Sequence, residues 1–260
     1  MLGALLLPLL YVGLCALVFV PLEEMSPLHP TGREGRGTDA LFATVGGVLA
    51  HGVLAAASGL LLWVASRAGG PLEGVTPWVT IPVALLVFEL AGYAYHRAAH
   101  VLPGLRELHD VHHSAERLDW LAGFRQHPVE ILLMTLAQNL PLVLLGVPLG
   151  VHGLLAIALR VNTQFVHSNV RTPTWLGLLV ATPAFHHRHH QRDGDVANYA
   201  TLFPWIDRLF GTWCHEEAGQ AGLPGRPRKG FVGWLLHPLW TPGYVRDGGA
   251  PCRPSTPSES

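Results

Sequence analysis

Residues 78–100 read WVTIPVALLVFELAGYAYHRAAH. From Trp78 to Tyr95 the stretch is apolar and close to the ~20 residues a helix needs to cross a bilayer. It then continues without a break into His96 and His100. Their i,i+4 spacing puts both imidazoles on one helix face. Glu89 and Tyr93, seven and three residues before His96, extend the same stripe. A glutamate inside an apolar span is expensive and marks a functional site by default. Its expected task is to orient a ligand histidine through the second ring nitrogen. The stretch thus predicts a membrane helix that ends in metal-binding chemistry.

Outward from it, apolar stretches recur at about Leu2–Val20, Leu41–Ser66 and Val129–Val161. The first lacks the basic start and small-residue cleavage site of a signal peptide, so it reads as a retained helix. The last is too long for one span, and Pro141, Pro148 and Gly150 interrupt it, so it reads as two helices in a tight hairpin. Composition agrees: 49% of residues are hydrophobic and 13% charged, with mean hydropathy +0.31, where a soluble domain carries about 25% charged residues. The expected fold is an all-α integral membrane bundle of four to five membrane helices with a cytosolic helical cap. Its expected divisions are N-terminal membrane helices over 1–75, a catalytic domain over 76–217 and a C-terminal tail over 218–260. A net charge of -1 gives no electrostatic basis for binding nucleic acid. Cys15, Cys214 and Cys252 have no paired spacing, so neither a disulfide framework nor a thiolate metal site is expected.

Arginines set the expected orientation. Arg97, Arg106, Arg117 and Arg125 follow the third span, and Arg160, Arg171, Arg188 and Arg192 follow the hairpin; Arg67 alone marks the opposite loop. The positive-inside rule makes the arginine-rich side cytoplasmic. The membrane is then the inner membrane of a bacterium, or the endoplasmic reticulum of a eukaryote.

Every histidine cluster falls on that side. After Pro103-Gly104 comes LHDVHHS with His109, His112 and His113; FVHSN carries His167; FHHRHH carries His186, His189 and His190. A lone HxxxH is more often a polar helix end than a metal site, but three clusters at ligand spacing form a metal-binding constellation. Nine such histidines exceed one ion's coordination sphere and point to two ions. Imidazole suits iron, copper and zinc alike, and HExxH, the zinc-peptidase signature, is absent. His127, before Pro128, reads as a helix entry more than a ligand, whereas His187 is ambiguous because it stands i,i+3 from His190. The competing class is a membrane metal-handling protein, which would place its ligands near the midplane between broken helices.

The ordered set FELAGYAYHRAAH, LHDVHHSAERLDWLAGFRQHPVE, FVHSN and FHHRHHQRDGDVANYATLFPWIDRLFGTW, over about residues 80–215, resembles the fatty acid hydroxylase/sterol desaturase superfamily. The resemblance implies a non-haem di-iron centre of two Fe ions held by His96, His100, His109, His112, His113, His167, His186, His189 and His190. Glu89, Tyr93 and Asn169 would support those ligands. It also implies an O2-dependent enzyme that hydroxylates or desaturates a lipid, with electrons from a separate donor such as ferredoxin, or cytochrome b5 with its reductase. Glu89 stands where the family more often has aspartate, Ala200 where glycine is usual, and Thr163 where some members carry a further histidine. The last favours the sterol-desaturase-like bacterial branch. Asp207-Arg208 is expected to form an internal ion pair bracing the cap.

Overall fold

In a bilayer every backbone polar group must bond within the chain, and helices satisfy this segment by segment. The computed structural model describes residues 2–30, 32, 35–193, 196–216, 218–225 and 229–240. Its helices are α1 Leu2–Met25, α2 Arg36–Ala65, α3 Pro77–Val101, α4 Leu105–His113, α5 Pro128–Leu144, α6 Leu149–His167, α7 Pro183–His189 and α8 Trp205–Leu209. Two short turns of helix follow, α9 Phe231–Leu235 and α10 His237–Trp240. Among the described residues extended pairing is limited to two isolated bridges, Pro27 with Val170 and Gln191 with Ala221. The protein is an all-α membrane bundle.

Helices α1, α2, α3 and α6 are each long and apolar enough to cross a membrane. Leu10, Leu14 and Leu17 of α1 and Leu60 and Leu62 of α2 are exposed, as lipid-facing side chains are. Helix α5 is shorter, at 17 residues. It packs on α2 and α3 and forms the expected hairpin with α6. The inner core consists of Ala84 and Phe88 of α3, Leu142 of α5, and Leu155 and Leu159 of α6.

Three spans reach further than their apolar runs. Helix α1 continues to Met25, α2 begins at Arg36 with a π turn over Phe42–Gly46, and α3 continues to Val101. The extensions carry buried polar residues toward the cap, Glu23, Asp39, His96 and His100; Asp39 of α2 meets the Arg125 guanidinium at 2.6 Å.

At the far end of the bundle the loop between α2 and α3 presses on the hairpin tip. The Leu72 N–H donates to the Leu145 carbonyl at 2.9 Å, and a Cβ on Gly70 would lie 2.1 Å from the Leu145 carbonyl carbon. Only glycine permits that approach. Trp63 and Trp78, both exposed near this end, suit a membrane interface. The opposite end gathers the C-termini of α3 and α6, the N-terminus of α5, and the cap helices α4, α7 and α8. Residues after 217 contribute to that cap: Trp234 packs with Val111 and Phe42, and His237 is fully buried beside Asp110.

Candidate metal centre

Three helix ends assemble the site. Gly104, at φ +86°, breaks the chain after α3, and its N–H donates to the Glu107 carboxylate, which starts α4. Helix α4 thereby turns back so that its histidines face those of α3. Thr182 caps α7 by accepting from Phe185 N–H at 3.3 Å, with Pro183 in the first turn. Helix α6 delivers His167 as its last residue.

The nine histidines form two buried sets: His96, His100, His109, His113 and His189 in one, His112, His167, His186 and His190 in the other. Within each set the nitrogens that could ligate an ion lie within 4.8 Å of one another. The i,i+4 pairs 96/100, 109/113 and 186/190 stay together, because four residues return nearly to the same helix face. His112 and His189 point about 100° away from their neighbours His113 and His190, and so join the opposite set.

Second-nitrogen bonds to backbone carbonyls fix four of the rings. His96 Nδ1 donates to the Tyr199 carbonyl at 2.7 Å, His112 to that of Arg125 at 3.0 Å, His167 to that of Thr163 at 2.7 Å and His189 to that of Ala197 at 2.8 Å. A carbonyl only accepts, so each of these rings carries its proton on Nδ1 and presents a bare lone pair at Nε2. Yet the Nε2 atoms of His112 and His167 are 3.1 Å apart. Two lone pairs at that distance repel, and a cation between them removes the conflict. A proton does not supply it, because burial, and then the neighbouring His109, holds His112 well below the usual histidine range. Burial likewise depresses His113, His186, His189 and His190, in each case reinforced next by another imidazole. For His109, burial and then the Arg106 guanidinium bring the value to about 3.

Contacts between Nε2 atoms in the two sets run from 3.0 to 3.2 Å. Ligands at right angles on bonds of about 2.2 Å would be spaced about 3.1 Å, and tetrahedral ligands on zinc about 3.3 Å. Both spacings lie within a few tenths of an ångström of these contacts, so each set fits imidazoles gathered around a metal ion.

The supporting carboxylate is Glu130, whose Oε1 bonds His109 Nδ1. Sequence spacing nominated Glu89 for this role. The Glu89 carboxylate instead accepts from Leu202 N–H at 2.8 Å and reaches no histidine. Tyr93 Oη meets Thr212 Oγ1 at 2.8 Å. Both residues thus brace the 197–212 segment, whose carbonyls aim His96 and His189. Asn169 stands one step away too: its amide bonds the His29 backbone at 2.8 and 2.9 Å and ties the exit of α1 to the end of α6.

His127 belongs to neither set; its Nδ1 accepts from Val129 N–H at 3.2 Å as a helix cap. His187 also falls outside, with Nε2 3.1 Å from the His167 carbonyl. The expected Asp207–Arg208 pair does not form. Asp207 accepts from the N–H groups of Tyr199 and Ala200 at 2.7 and 2.8 Å, while Arg208 lies over the Trp213 ring. Adjacent residues on a helix point apart, which is why the pair fails. Asn198 sits at φ +60°, a conformation asparagine tolerates, and its Oδ1 accepts from Cys214 N–H at 2.7 Å.

A cavity of about 390 Å³ reaches His96, His109, His112, His167 and His186 from among α2, α5 and α6. A larger one, about 670 Å³, lies on the cap between Glu23, Arg36, Arg117 and Asp119 and touches none of the nine. The first is the one placed for chemistry at the histidines.

The profile of the fatty acid hydroxylase family matches residues 81–212, just over half of the chain and the span that contains all nine histidines. The chain belongs to the fatty acid hydroxylase family. Similar proteins include the ornithine lipid hydroxylase OlsE of Rhizobium tropici, 30% identical over 166 residues that make up 61% of this chain and 50% of that protein. Alkylglycerol monooxygenase of Danio rerio is 31% identical over 166 residues, 62% of this chain and 36% of that one. The Homo sapiens alkylglycerol monooxygenase is 30% identical over 148 residues, covering 55% and 32%. The chain spans half or less of the length of these relatives. No solved structure matches it. In this hydroxylase-family site Thr163 supports His167 through its backbone carbonyl and borders the cavity, so the second set has four imidazoles.

Proposed function

We propose that this protein is a membrane-bound, O2-dependent oxidoreductase that uses two non-haem irons to hydroxylate or desaturate a C–H bond of a lipid. The observation that carries the reading is the His112–His167 contact, two lone pairs 3.1 Å apart that require a cation. The nine imidazoles, five in one set and four in the other, are the proposed ligands. Iron is favoured over zinc by the lipid hydroxylases among the relatives and by the oxidation such a reaction requires, which redox-inert zinc does not supply.

Bound iron would supply reductive activation of O2 and removal of hydrogen from an unactivated carbon. The balance is RH + O2 + 2 e⁻ + 2 H⁺ giving ROH and water, or an alkene and two waters when a second hydrogen leaves. The protein's own contribution is positional. Backbone carbonyls and Glu130 aim His96, His109, His112, His167 and His189, and burial keeps the cap histidines neutral and available. Glu89 and Tyr93 hold the 197–212 segment, and Asn169 fixes the junction of α1 and α6. The cavity admits an apolar chain from the bundle and excludes bulk water from the reacting carbon. Electrons come from a separate donor, a ferredoxin or cytochrome b5 with its reductase. The arginine-rich end that carries the site faces the cytoplasm.

Comparative lipid mass spectrometry of cells with and without the gene tests the reading. A lipid gaining about 16 mass units identifies a hydroxylase and one losing about 2 a desaturase. Lipid profiles that stay identical, together with metal uptake into liposomes containing the protein, would replace the enzyme by a transporter.

A further inference from the structure

Arg160 is counted from the sequence among the arginines beyond the hairpin, but the structure places it inside α6, seven residues before His167. Residues 160, 163 and 167 share one helix face, and all three line the cavity that reaches the metal ligands. Seven residues of helix set Arg160 about 10 Å from His167 along the axis. Its backbone carbonyl accepts from Tyr11 Oη at 2.9 Å. Its guanidinium makes no hydrogen bond or ion pair among the described residues, and the titratable groups that face it, Tyr11 and Cys15, are not carboxylates. A charge in a membrane span is expensive and is kept where it meets a partner or lines a ligand path.

We infer that Arg160 is the specificity-determining residue of this cavity: its guanidinium takes the oxyanion, carboxylate or phosphate, of a single-chain amphiphile. The planar fork of arginine matches either oxyanion through two parallel hydrogen bonds. The volume, about 390 Å³, suits one chain rather than a whole two-chain lipid. Leu54, Ala156 and Ile157 form its rim, and Ile157 is 69% exposed on the outside of the bundle, so the chain enters sideways. From Arg160 it runs past Thr163 to the histidines. The carbon presented there is several bonds from the anionic group, not adjacent to it. The inference deepens the proposed lipid oxidation and rests on it for the identity of the ligand as substrate; binding is tested apart from turnover.

The experiment measures binding of palmitic acid, hexadecyl phosphate and hexadecanol to the full chain in detergent, without added donor or O2. Wild type is expected to bind at least one of the two anions about tenfold or more tighter than hexadecanol. The anion preferred tells carboxylate from phosphate. Arg160→Gln is expected to erase that preference while leaving hexadecanol affinity unchanged, and Arg160→Lys to retain most of it. Equal binding of all three probes by wild type would overturn the inference, as would a preference that survives in Arg160→Gln. Should Arg160→Gln lose hexadecanol binding as well, Arg160→Lys decides: preference kept supports the inference, preference lost overturns it. Anion binding without any lipid oxidation would leave Arg160's role standing and remove the oxygenase reading instead.

Discussion

Replacing Glu130 by glutamine separates the charge of this carboxylate from its shape. Glu130 is 2% exposed; one oxygen bonds His109 Nδ1, and the other has no hydrogen-bond partner. The amide oxygen can still accept from Nδ1, so the ring stays aimed. Burial pushes the Glu130 carboxyl up to about 8, and a cation bound by the histidines would favour its ionised form; what disappears in the metal-bound protein is that charge assistance, which raises a bond from about 0.5–1.5 to about 1.5–3 kcal/mol. A loss of about 1–1.5 kcal/mol corresponds to roughly 5- to 10-fold weaker binding of the ion held by His96, His100, His109, His113 and His189. The new NH2 takes the place of the unpartnered oxygen, which costs fold stability but not metal affinity. Glu130→Ala removes the acceptor altogether and is expected to reach the 10- to 100-fold range. The assay loads ferrous iron anaerobically into detergent-purified protein and titrates it against a competing chelator, counting iron per chain. The ion held by His112, His167, His186 and His190 serves as the internal reference. Equal affinities at both ions in wild type and both variants would refute the role given to Glu130.

His112→Ala and His189→Ala, one from each set, are each expected to abolish turnover and lose at least one ion; full activity in either would overturn the ligand assignment. Acid should act through the depressed histidines. His109 titrates near 3 in the fold against about 6.5 when unfolded, so below pH 6.5 the unfolded chain takes up a proton that the folded site refuses. Stability of the metal-free protein therefore falls as pH drops from about 6.5 toward 3, by up to about 1.4 kcal/mol per unit for each such ring. Iron affinity declines over the same range. Melting temperature and iron retention between about pH 7.5 and 5.5 check this; flat profiles would contradict it. Gly123→Ala would place a Cβ 2.4 Å from Gln164 Oε1 and 3.4 Å from the His167 ring. Because Gln164 is fully buried, the expected cost is about 1–3 kcal/mol, read as a lower melting temperature with weakened iron binding.

Much of this was legible in the chain because helix periodicity acts locally. The apolar runs located the spans, Pro141 and Pro148 located the hairpin, and the i,i+4 pairs located three ligand groups. The division into five and four was not legible: it depends on how α4 and α7 face each other across the cap, which no spacing within either helix records. Glu130 was passed over for Glu89 because the latter shares a helix stripe with His96, whereas Glu130 reaches His109 across 21 residues of sequence. Arg160 was misplaced because charge counting assigns arginines to the ends of spans, and this one lies within α6.

The central claim is that nine imidazoles hold two redox-active ions. Metal analysis of the full chain, purified in detergent without added metal and again after ferrous loading, tests it most directly. The account predicts two irons per chain after loading, both lost when His112 and His189 are replaced together. One ion per chain, or tight zinc that iron does not displace from active protein, would contradict it.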